Sequence, residues 1–174
     1  TYSPSQGQEA CAGGSAFALE KKDWAFPSFR EHGMFFTRGI SPVHTLQYFG
    51  GDERGSVWDK ELRTLPVSVP VGSQPLHAVG AAMANKLKKN NSVTMSYFGD
   101  GGTSEGDFHE AMNFAGVFNA PTVFINQNNQ FAISEPRKIQ SASQTLAQKS
   151  IAYGIEGIQV DGNDVFAIYK ASKD

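Results

Sequence analysis

Short apolar runs separated by turn residues recur along the chain, and two hydrophobic periods alternate. "SVTMSYF" (92–98) and "APTVFINQ" (120–127) have strand length and turn residues at their borders, so each reads as a buried strand. Between them, "FHEAMNFAGVF" carries apolar residues at i, i+4 and i+7, the period of a helix. Ser104, followed by Glu105 and Asp107, predicts where that helix starts. Upstream, "QGQEACAGGSAFAL" has small and apolar residues at helical spacing, and "DWAFPSF" reads as a short extended segment leading to Arg30. Ser41 then Pro42 form an N-cap and N1 pair that opens a helix over "SPVHTLQYF". "PLHAVGAAMANKLKK" reads as a small-residue helix with lysines at its C-terminus. "NNQFAIS" reads as a loop and "SQTLAQKSIAYG" as a helix closed by Gly154. "IEGIQV" (155–160) predicts a third strand, and Asp164 opens a last helix, with "DGND" as its capping turn. From Gly50 to Pro70 the chain is polar and irregular, too long for a simple connector, which points to a functional loop.

Strands alternating with helices imply an α/β fold with a parallel sheet covered on both faces. The strand–helix–strand unit from Ser92 to Gln127 takes a right-handed crossover, so its two strands lie parallel and close together. Ligands of such sheets bind at the carboxyl ends of the strands. Gly99-Asp100-Gly101 and Asn128-Asn129 occupy those ends and are expected to meet in space.

Composition narrows the classes. The 174 residues fit one domain, 1–174, with 40% hydrophobic and 18% charged residues. A net charge of −2 without a basic stripe excludes nucleic acid and anionic membranes as main partners. The apolar runs fall well short of the roughly 20 residues of a membrane span. Cys11, the single cysteine, cannot form an internal disulfide and reads as a small buried side chain in a reducing compartment. The chain starts without Met and ends inside an expected helix, so a fragment of a longer protein is the expectation.

The chemistry concentrates in "SYFGDGGTSEGDF". A glycine turn after a strand suits a phosphate, yet Asp100 puts a negative charge there. The glycines at 99 and 101 lack a third at 104 for a dinucleotide fingerprint, and no Gly-Lys-Ser/Thr marks a P-loop. A bare pyrophosphate would be repelled. A divalent cation between the two turns repulsion into attraction, because Mg²⁺ takes about six oxygens, some from protein and some from phosphate. The turn therefore suits a metal-bound diphosphate, with glycines for close approach, helix amides for phosphate and the acid for the metal. Asn129 offers a second, neutral oxygen. Turn chemistry alone would also account for an Asp among glycines. The Asn pair at the matching end of the next strand favours the functional reading.

"GDG", 26 residues, then "NN" resembles the thiamine-diphosphate signature. The longer run "GDGGTSEGDFHEAMNFAGVFNAPTVFINQNNQFAIS", with "SVPVGSQPLHAVGAAMA", "FPSFREHG" and "GIQVDGNDVFAIY", is similar to the alpha subunit of E1 components of 2-oxo acid dehydrogenase complexes, of the pyruvate and branched-chain types. The likeness covers essentially the whole chain. It implies thiamine diphosphate and Mg²⁺ as cofactors, with Asp100, the Asn129 side chain and the Phe131 carbonyl as metal ligands. Gly99, Gly101 and Gly102 would line the diphosphate, and Arg30 would bind it. Phe29 stands where many members have Tyr, which removes a hydroxyl, and Gln127 stands where some have Arg, which removes a charge. Val69 and Val71 match the segment against the cofactor rings, with Val71 the wedge that bends the cofactor. Ser68, Ser73 and Gln74 are candidates for a monovalent cation site.

The resemblance also implies an E1 beta subunit in an alpha2-beta2 heterotetramer, a lipoyl domain of E2 as acyl acceptor and a 2-oxo acid substrate. Pyruvate is preferred over branched-chain acids, and acetoin dehydrogenase shares the signatures. The carboxylate that activates the cofactor ring would come from the beta chain. The expected compartment is the cytoplasm in a bacterium or the mitochondrial matrix in a eukaryote. A transketolase-type half and a non-catalytic binding fragment are the rival readings. His32 is placed to approach the site, whereas His44, His77 and His109 lack metal spacing. Asn90-Asn91-Ser92 is a chance sequon.

Overall fold

The computed structural model describes residues 2–174. Its centre is a parallel sheet of three strands in the order β1 (Trp24–Phe26), β2 (Thr94–Gly99) and β3 (Thr122–Gln127). The register pairs Phe26 with Ser96 and Gly99 with Gln127, so all three carboxyl ends lie on one side. The extended segment expected at "DWAFPSF" thus supplies a sheet strand. Asp23 fixes its entry, one carboxylate oxygen accepting from Val93 N at 2.8 Å and the other from Glu20 N at 2.8 Å.

The central strand β2 alternates between two cores. Met95 and Tyr97 face a cluster with Ala12 and Ala16 of α1 (Glu9–Ala18) and Met34 and Phe35 of α2 (His32–Thr37). Phe98 packs with Phe108 and Met112 of α5 (Gly106–Phe118). Val79 of α4 (Gln74–Leu87) packs with Ala111 and Ala115 of α5 on the same side. Helices therefore cover both faces, the arrangement a parallel sheet needs. Polar residues of β2 are reconciled with burial by local bonds: Thr94 Oγ1 donates to Ala78 O at 3.0 Å and pairs with Thr122 Oγ1 at 2.9 Å. Small residues let α1 sit close to its neighbours. A Cβ on Gly14 would come within 3.0 Å of Val165 O in α7 (Val165–Lys173).

The Ser41 cap is present on α3 (Pro42–Phe49), where its hydroxyl accepts from Val43 N at 3.3 Å. Asp164 likewise accepts from Phe166 N and Ala167 N at 3.0 Å, so "DGND" is a capping turn. The long 50–70 loop contains two 3₁₀ turns and is tied to β1, with Leu65 N donating to Ala25 O at 2.9 Å. It ends by bonding Ser68 N to Ser28 O at 3.1 Å, which brings the 68–74 segment to the carboxyl end of the sheet.

Four expectations change. Ser104 does not cap α5: the residues Asp100–Ser104 wind into a 3₁₀ turn directly off β2, and the cap moves to Glu105. "IEGIQV" forms no strand. Gly157 is pressed onto Ser150 Oγ and Ala147 O, which folds this stretch back on the preceding turn instead of along β3, and leaves Ile158 and Val160 exposed. The helix expected over "SQTLAQKSIAYG" is shorter and of 3₁₀ form, Ala147–Tyr153, closed by Gly154 at φ 66°. Thr145 and Gln148 exchange backbone-to-side-chain bonds before it, a capping box that sets the later start. "NNQFAIS" contains one strand of a small antiparallel hairpin, β4 (Phe131–Ala132) with β5 (Glu135–Pro136), which leads into α6 (Arg137–Gln140). No described helix is long and apolar enough to cross a membrane.

Candidate functional site

Four segments meet at the carboxyl ends of the strands. β2 ends in Gly99, whose carbonyl is held by Asn126 Nδ2 at 3.0 Å. The chain then turns tightly, and Asp100 is only 2% exposed. Neither carboxylate oxygen of Asp100 has a hydrogen-bond partner, although both are buried. Burial pushes its carboxyl above the usual carboxylate range. The amides of Asp100, Gln140 and Asn129 and the charge of Arg137 face it and offset part of this cost without completing a bond. A buried acid with both oxygens unpaired is costly by itself. A cation would supply what it lacks. Among the described residues no group of three His, Cys, Asp or Glu is placed to hold a metal ion. An ion at Asp100 would therefore draw its other oxygens from amides, carbonyls, water or an anionic ligand.

The glycines have distinct jobs. A Cβ at Gly101 would meet Ala132 Cβ at 2.6 Å, so this glycine admits the β4 segment. Gly102 lies under the 68–74 loop, with its Cβ position 3.6 Å from Gly72 Cα. Gly72 has φ +83°, a conformation that favours glycine. Gly99 faces open space, its Cβ position reaching only Gln127 O at 3.9 Å. On this loop Val69 and Val71 are half-exposed, and across the turn Phe131 is also exposed. Gln74 is buried, its amide nitrogen donating to Ser68 O and Pro70 O at 2.8 and 2.9 Å, while its oxygen has no partner. Ser73 Oγ donates to the same Pro70 O at 3.0 Å.

Beyond β1, Arg30 lies over the Phe29 ring at 5.3 Å and donates to Pro4 O at 2.7 Å. Asn129 is exposed, and its side-chain oxygen accepts from Phe131 N at 3.0 Å in an Asx turn. His32 is buried rather than open to the site: it stacks on Tyr2 at 5.1 Å, and its Nε2 lies 3.0 Å from Ser3 O. Cys11 is half-buried, and burial with the nearby charge of Glu31 pushes its thiol up to about 12.

Two residues escape a reading by motif. Glu31 is 2% exposed, and its Oε1 accepts from the Gln127 amide at 2.6 Å. Arg30 N donates to its other oxygen at 3.2 Å. Burial pushes this carboxyl up to about 6, with the Arg30 amide and then Gln127 opposing. Gln127 is thus committed to Glu31, a bond across 96 positions that no local signal announces. Lys149 reaches the glycine turn, its ammonium donating to Thr103 O at 2.7 Å and Thr103 Oγ1 at 3.0 Å. Burial and then Arg137 hold its pKa below the usual lysine range.

Comparison with known proteins follows the same outline. A family model described as dehydrogenase E1 component matches residues 1–174. The 3-methyl-2-oxobutanoate dehydrogenase subunit alpha of Mycobacterium tuberculosis is 51% identical over 168 residues, which cover 97% of this chain and 46% of that protein. The pyruvate dehydrogenase E1 component subunit alpha of Acholeplasma laidlawii is 48% identical over the whole chain and half of its own length. The subunit of the same name from Staphylococcus aureus is 42% identical over 99% of this chain and 47% of its own. The chain spans about half the length of the curated relatives it matches.

Proposed function

Because the chain belongs to the dehydrogenase E1 component family, we propose that it forms the cofactor-anchoring part of an E1 alpha subunit that decarboxylates a 2-oxo acid with thiamine diphosphate and Mg²⁺. The observation that carries this is Asp100, a buried acid with two unpaired oxygens in a glycine turn at the end of a parallel strand. The residues fit the group. Asp100 would hold the metal, with Asn129 and the Phe131 carbonyl beside it, and Arg30 would carry positive charge to the diphosphate. Gly99 leaves the open approach. Val69 and Val71 present apolar surface suited to the cofactor rings, and Ser68, Ser73 and Gln74 suit a monovalent cation that braces their loop.

When bound, the cofactor supplies a nucleophilic carbon and an electron sink for loss of CO₂. The chain's own residues bind and orient it, and the acid that activates the ring comes from an E1 beta subunit in an alpha2-beta2 assembly. The lipoyl domain of E2 takes the acyl group. Pyruvate is the proposed substrate. The relative at 51% identity favours 3-methyl-2-oxobutanoate as a second reading. Calorimetry with thiamine diphosphate, with and without Mg²⁺, tests the site: binding that needs Mg²⁺ supports it, and binding indifferent to Mg²⁺ overturns it. Turnover of the two acids by the full-length chain with its beta partner, with an artificial electron acceptor, separates the substrates.

A further inference from the structure

The ammonium of Lys149 is spent on a turn, not on an acid. Among the described residues its side chain makes no ion pair. It stands 5.7 Å from the centre of the Phe108 ring, and its two hydrogen bonds go to Thr103. Thr103 is 2% exposed, and its hydroxyl donates to Asp100 O at 2.8 Å while accepting from Lys149. A continuous chain of bonds therefore runs from the ammonium through Thr103 to the backbone of Asp100. The carbonyls at the end of a short 3₁₀ turn have no partners in the turn itself. A charge-assisted bond to one of them is stronger than a neutral one and favours this conformation of the five-residue turn. That conformation decides where the unpaired Asp100 carboxylate points.

We propose that Lys149 is a positioning residue for the metal-binding turn, holding Asp100 in the orientation that accepts a divalent cation. This rests on the assignment of Asp100 to the metal. The bland alternative is that the bonds merely fasten the Ala147–Tyr153 segment to the body of the fold. The two differ in what Lys149 controls: cation affinity in one case, stability alone in the other.

The test measures the Mg²⁺ concentration that half-saturates thiamine diphosphate binding, by calorimetry on the full-length protein as purified, beside its melting temperature. Lys149→Met should raise that concentration about tenfold, the scale of losing a charge-assisted contact. Lys149→Arg, which keeps a cationic donor, should restore it to within about twofold. Thr103→Val cuts the hydroxyl link without touching the ammonium and should shift it in the same direction, which keeps the test intact if Lys149→Met folds poorly. A lowered melting temperature with an unchanged Mg²⁺ requirement in Lys149→Met and Thr103→Val overturns the inference. Unaltered protein that binds the cofactor with no need of Mg²⁺ overturns the metal assignment instead.

Discussion

Two buried acids lie at the same end of one sheet, and the chain treats them differently. Glu31, after β1, accepts a side-chain amide at 2.6 Å and a backbone amide at 3.2 Å. Asp100, after β2, accepts from nothing at hydrogen-bond geometry. Each is 2% exposed, so burial alone does not separate them. Their partners do. Glu31 is finished within the fold and ties the start of α2 to the end of β3. Asp100 is left unfinished within the fold. At a strand end, an acid left incomplete is the better pointer to a ligand than an acid that is merely buried.

The widest gap between the two should open on truncating Asp100. Asp100→Ala removes the one charged group proposed as a metal ligand and is expected to abolish Mg²⁺-dependent cofactor binding, read by calorimetry. Its melting temperature without ligand should hold or rise, because a buried unpaired charge has gone. Retained binding would equate the two acids and sink the comparison. Next in size is Arg30→Ala, which removes the positive charge proposed to face the diphosphate. Charge-assisted contacts are worth about 1.5–3 kcal/mol, so affinity should fall roughly tenfold to a hundredfold.

Glu31 sharpens the contrast through pH. Its folded pKa of about 6 lies above the ordinary 4.5, so the folded state favours the protonated form. Its stabilising share is full below about pH 4.5 and is lost as pH rises through 6. Glu31→Gln keeps one acceptor for Gln127 but sets an amide NH₂ against Arg30 N, so the two proteins differ by a fixed offset; relative to the variant, the parent should lose about 2 kcal/mol of stability between pH 4 and 6.5. Denaturant melts across that range check the sign. The smallest effect belongs to Gln127→Ala, which leaves Glu31 with one backbone donor. It should cost about 1–2 kcal/mol of stability at neutral pH and little cofactor affinity. An equal loss of affinity in Gln127→Ala and Arg30→Ala would place Gln127 at the phosphate after all.

The sequence exposed what is local. The β2–α5–β3 unit was legible because Met95, Phe108, Met112 and Phe124 carry its periods, and a right-handed crossover follows from two strands and a helix. Ser41 and Asp164 announced their helices because capping lies within three residues. "IEGIQV" misled because its alternating pattern states only that a strand is affordable, while pairing is decided by where Gly157 is pressed. Ser104 misled because the tight turn after Gly99 consumes the residues a cap would need. In the candidate site, Asp100 and its glycines were legible by type and spacing. Glu31 and Lys149 were not, because what each touches lies 96 and 46 positions away.

Cys11 carries a practical consequence. A thiol whose pKa is pushed to about 12 is almost wholly protonated at pH 8, with roughly one molecule in ten thousand carrying the reactive thiolate. The chain's single cysteine is thereby close to inert toward maleimides on the timescale of ordinary labelling. A second cysteine placed on the exposed rim, at Val71 for instance, would take a fluorophore selectively against that silent background. Within this chain, such a label would report from the mouth of the glycine turn with little interference from Cys11.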